Sequence, residues 1–63
     1  MRYPEIRVKL RTQSALALVA AVRHEMRRAG LPREEIERFS SDALTSPDPR
    51  QMRRICGEWV DAG

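Results

Sequence analysis

Little in this sequence can be cross-linked, chelated or stacked. Its 63 residues hold one cysteine and one histidine. That excludes an internal disulfide and falls short of the four ligands a structural zinc site takes. The aromatics are Tyr3, Phe39 and Trp59 alone, too few for a row of rings on which bases stack. Glycine is scarce and forms no phosphate-cradling loop. The longest apolar run, Ala15–Val22, is far short of the ~20 residues that span a bilayer. A basic stretch, Met1–Arg11, precedes it, but the run is Ala-rich and passes straight into Arg23, His24, Glu25 and Arg27. That is not the layout of an export signal. With a lone thiol, the expected compartment is the cytoplasm.

Such a short chain has room for one domain, residues 1–63, which buries only about 60% of the surface its unfolded chain exposes. With no disulfide or metal to add stability, association with a partner chain is the expected remedy. The chain is also small for a closed substrate pocket. No Ser, Cys and His stand at spacings that suggest a nucleophile and its base. No enzyme activity, small-molecule substrate, metal or cofactor is expected.

What the sequence does have is arginine. Eleven of its twelve basic residues are Arg, and the net charge is +3. Arginine's planar fork suits phosphate and carboxylate. The charge is uneven: residues 1–13 carry +3, 14–30 carry +2, 31–46 carry −2, and 47–63 balance. One end of the molecule is therefore suited to anions.

From Tyr3 to Arg11 the residues alternate, with Ile6, Val8 and Leu10 on one side and Glu5, Arg7, Lys9 and Arg11 on the other. This predicts a strand over 4–11 with one face buried. Ser14 is placed to cap a helix over 15–29, with Leu18, Val22 and Met26 inward. Its first half is apolar all round and asks for cover on more than one side. Gly30 and Leu31 suit a Schellman stop, which Pro32 enforces.

Glu34 and Glu35 favour the start of a second helix, 33–44, with Ile36, Phe39, Ala43 and Leu44 inward. Thr45, Ser46 and Pro47 break it, and Asp48 with Gln51 opens a third helix over 49–60. Its stripe is Met52, Ile55, Cys56, Trp59 and Val60. The expected core is Ile6, Val8, Leu10, Leu18, Val22, Met26, Ile36, Phe39, Leu44, Met52, Ile55, Cys56, Trp59 and Val60. The fold class is thus a helix-rich α+β domain, β-α-α-α. Its single strand leaves backbone groups unpaired. The tail after Trp59 reads as too short for a second strand, so pairing in a homodimer, or with another protein's edge, is expected.

Arg7, Lys9 and Arg11 project from one strand face at intervals of about 6.5–7 Å. A paired ribbon carrying them outward fits a major groove. Arg23, Arg27 and Arg28 on the first helix would take phosphates. The plan is that of a ribbon-helix-helix dimer, except that Glu34 and Glu35 would repel phosphate at the second helix start and the third helix is additional. The plainer alternative is a solvated face. Tyr3 is expected at the exposed start of the strand, His24 on the polar surface, and Cys56 as a buried inert thiol.

The chain as a whole resembles a family of short bacteriophage, prophage and mobile-element proteins of no settled activity. The matching pieces are Pro4-Glu5-Ile6-Arg7-Val8-Lys9-Leu10, Ser14-Ala15-Leu16-Ala17, Arg27-Arg28-Ala29-Gly30, Glu34-Glu35-Ile36 with Phe39, Asp42-Ala43 and Trp59-Val60. The turn before the first helix is shorter than that family's and lacks its Asp-Gly, and Thr45–Gln51 replaces a Gly-Asp-Tyr-Asp type segment. The resemblance implies a mobile-element origin. Small proteins of that origin are often regulators of their own genes or inhibitors of host machinery, anti-CRISPR proteins among them. Two functions are therefore expected in turn: a dimeric DNA-binding regulator, or an inhibitor or adaptor that binds a host protein.

Overall fold

Alternation becomes a strand, β1 (Tyr3–Val8), in the computed structural model, which describes residues 2–11, 14–45 and 48–62. Three helices follow, α1 (Ala15–Arg28), α2 (Arg33–Ala43) and α3 (Pro49–Trp59). The expected β-α-α-α order is present, and the chain then adds a strand, β2 (Val60–Ala62). The breaker Ser46-Pro47 lies outside the described residues.

β2 corrects the reading of the tail. It runs parallel to β1, with Tyr3 opposite Val60, Arg7 opposite Asp61 and Val8 opposite Ala62, and an irregularity between Tyr3 and Arg7. Three residues suffice because they extend directly from α3 rather than closing a loop of their own. The helix ends at Trp59, one residue before the expected limit, because Val60 turns extended at φ −135° and ψ 169°. Val60 is fully buried there, and a β-branched side chain suits that backbone. A strand lasts only as long as its partner. β1 accordingly stops at Val8, so Lys9, Leu10 and Arg11 lie beyond it. The need for a second chain to satisfy β1 loses its premise on this edge.

The helix ends follow local chemistry. Asp48 accepts the Arg50 N–H at 3.0 Å, the Asx cap that starts α3 ahead of Pro49 at its first position. Ser14 stands at the N-cap position of α1, and its carbonyl accepts the Leu18 N–H at 3.0 Å as the first bond of the helix. Gly30 takes the left-handed conformation at φ +82°. The Leu31 and Gly30 N–H groups bond back to the Met26 and Arg27 carbonyls, completing the Schellman stop.

The core gathers Leu18, Val22 and Met26 of α1, Ile36 and Phe39 of α2, Met52, Cys56 and Trp59 of α3, and Ile6, Val8 and Val60 of the sheet. Val19 joins it beyond the expected set, and Ala43, expected on the inward face of the second helix, is buried with it. Leu10 and Ile55 pack at its edge, half-buried. Leu44 departs most, standing 54% exposed. α2 ends at Ala43, so Leu44 is its cap residue and no longer follows the buried face. Buried Ser40 donates to the Ile36 carbonyl at 3.0 Å, which satisfies its hydroxyl within the helix. Among the described residues, no helix is long and apolar enough to cross a membrane.

Candidate nucleic-acid interface

The pleat of β1 sends Ile6 and Val8 inward and Arg7 outward, and the Arg7 side chain is 88% exposed. Register places Asp61 beside it on β2, with the Arg7 Nε 3.8 Å from the Asp61 carboxylate. Lys9 and Arg11 continue outward past the end of the strand, both exposed. Arg7 and Lys9 flank a shallow hollow of about 380 Å³ that also touches Val8 and Asp61.

The expected helix cations lie elsewhere. Arg23 and Arg27 line a different groove, along α1. Arg23 pairs with Glu37 of α2 at 3.7 Å, and Glu37 also meets Arg33 at 3.9 Å. Arg28 bonds to Glu25 one turn earlier, at 3.5 Å. Of the six expected site residues, Arg7 and Lys9 therefore share one hollow and Arg23 and Arg27 another, with Arg11 past the end of β1 and Arg28 in the last turn of α1. Arg7, Arg23 and Arg28 each have a carboxylate close by. Among the described residues, no carboxylate stands within ion-pair distance of Lys9, Arg11 or Arg27. Exposed pairs of this kind are worth roughly 0–1 kcal/mol, so a phosphate can displace or share them at small cost.

One grouping escaped the sequence. The Arg2 guanidinium lies 4.3 Å above the Trp59 ring and 3.8 Å from the Glu35 carboxylate. Tyr3 stacks on the same indole at 6.4 Å, while Phe39 meets it edge-on at 5.8 Å. The indole N–H donates to Asp42 at 3.0 Å. Tyr3 is thus half-buried against Trp59 rather than an exposed ring. Burial raises its phenol pKa, and the Glu35 carboxylate raises it further. Glu35 Oε2 is buried and accepts no hydrogen bond, leaving Arg2 as its compensating charge. Periodicity offered no sign of this cluster, because its members come from β1, α2 and α3.

Nothing in the set is arranged as a nucleophile and base. Cys56 is fully buried, and burial raises its thiol pKa against a smaller opposing effect of Arg53. His24 is exposed on α1. Among the described residues, no group of three or more His, Cys, Asp or Glu could hold a metal ion. Comparison with protein-family models, curated proteins and solved structures finds no match for this chain.

Proposed function

We propose that this chain is a small, non-enzymatic nucleic-acid-binding regulator that contacts DNA through Arg7, Lys9 and Arg11. The observation that carries the reading is the set of outward cations at the end of β1, two of which have no carboxylate within ion-pair distance among the described residues. Closely spaced cations repel one another unless an anion offsets them. The resemblance to mobile-element proteins supports the same role, since such proteins often regulate their own genes.

Among the described residues, β1 has a strand neighbour on one side only. In this reading a second copy adds along its other edge, giving the order β2-β1-β1-β2 and bringing six cations onto one ribbon. The salt dependence of duplex DNA binding separates one copy from two. Six phosphate contacts give a log–log slope near about −5, three give about −2.7. Replacing Arg7, Lys9 and Arg11 by Gln flattens that slope and leaves the melting temperature unchanged. Absence of DNA binding at about 50 mM salt, where phosphate contacts are strongest, would overturn the reading.

A further inference from the structure

Leu16 and Leu44 are the two large hydrophobic residues left exposed among the described residues, at 74% and 54%. They are far apart in sequence, yet both wall one open groove of about 460 Å³ along α1. Ala20 continues the apolar lining, and Arg23, His24 and Arg27 form its other end. This is the uncovered side of a helix whose first half is apolar all round, since Leu18, Val19 and Val22 already face the core. From Leu16 to Arg27 the groove follows α1 for about 16 Å, the length of three helical turns.

We infer that this groove docks a short acidic amphipathic segment of a partner protein, with aliphatic side chains over Leu16 and Leu44 and carboxylates on Arg23 and Arg27. Charge selects this occupant. Among the described residues, Arg27 has no carboxylate within ion-pair distance and Arg23 has only the exposed Glu37. Across a two-fold axis, a second copy with α1 antiparallel sets Arg23 near its own mate and Arg27 over Leu16, and one with α1 parallel sets each arginine near its own mate. Either arrangement joins like charges. Nucleic acid would place phosphate against the two leucines, whereas such interfaces are more polar and more uniformly cationic. An amphipathic helix in a groove satisfies both ends at once. The inference is independent of DNA binding at β1, because the two surfaces share no residue.

The test is selection of a random dodecamer peptide library on the full chain, followed by fluorescence anisotropy with the recovered peptides. Recovered sequences are expected to carry aliphatic residues at helical spacing followed by Asp or Glu. Leu16→Ser with Leu44→Ser, and separately Arg27→Glu, are each expected to weaken binding about tenfold or more, while the melting temperature holds because these side chains are exposed. Several results would overturn the inference: no enrichment, recovery of neutral or basic peptides, or equal binding to the variants. A dimer abolished by Leu16→Ser with Leu44→Ser would assign the groove to a second copy. DNA binding lost with those substitutions, but kept when Arg7, Lys9 and Arg11 are Gln, would assign it to nucleic acid.

Discussion

Trp59 does more than fill space. It is 3% exposed, carries Tyr3, Phe39 and Arg2 on its ring, and gives its N–H to Asp42. Truncation to Ala removes a buried aromatic at about 3–5 kcal/mol, close to the whole stability of so small a domain. Trp59→Ala is therefore expected to lose its cooperative thermal transition, while Asp42→Ala, which orphans only the indole N–H, costs about 1–2 kcal/mol. A Trp59→Ala protein melting within a few degrees of wild type would refute this. The neutral forms of Tyr3 and Cys56 are favoured in the folded state, because both pKa values are raised from ordinary values of 10.0 and 9.0. Their stabilising contribution is complete below those values and is lost as pH rises through the raised ones. Melting temperature should hold to about pH 9 and fall above it. Tyr3→Phe should remove the later part of that fall, leaving the thiol's share.

At the level of elements, two glycines make opposite predictions from the same open surroundings. A Cβ at Gly30 or at Gly57 would meet nothing within 4 Å. Gly30 sits at φ +82°, so Gly30→Ala meets only backbone strain, about 1–2 kcal/mol of lost stability. Gly57 lies inside α3 with helical backbone, so Gly57→Ala should gain about 0.5–1 kcal/mol by restricting the unfolded chain. Chemical denaturation of the two variants checks the signs. The Schellman stop at Gly30 was legible because the Gly-Leu-Pro order has one physical reading. The cluster at Arg2, Glu35 and Trp59 was not, because no local rule brings a strand start, a helix first turn and a helix last turn together.

At the scale of the molecule, the parallel pairing of β1 and β2 ties the two ends of the chain to one another across three helices. Asp61→Pro removes the N–H of the β2 residue that stands opposite Arg7, together with the carboxylate beside that arginine. Amide exchange across Ile6–Val8 should then accelerate and stability fall by about 1–3 kcal/mol, with α1 amides last to respond. Unchanged exchange at Ile6–Val8 would mean that β1 draws its protection from another chain. The expectation that β1 pairs with another chain rested on counting one strand, and a three-residue strand carries too little periodic pattern to be read.

Period-two alternation from Tyr3 to Arg11, the apolar stripes at 3.6-residue spacing, the Asp48-Pro49 start and the Gly30 stop determined three helices and the existence of the first strand by themselves, though not that the strand stops at Val8. Each is a local choice that the side chains and backbone make within a few residues. Which face of α1 stays bare, whether Leu44 belongs to the core, and where β1 finds its hydrogen bonds depended on how the elements pack. Those answers arise from contacts between residues distant in sequence, as when Leu16 and Leu44 meet along one groove. The cations divide the same way: alternation set Arg7, Lys9 and Arg11 on one face of the expected strand, and only packing put Arg7 and Lys9 beside one hollow and Arg23 and Arg27 beside another. Charge count is a property of the chain, but the spacing between charges belongs to the fold.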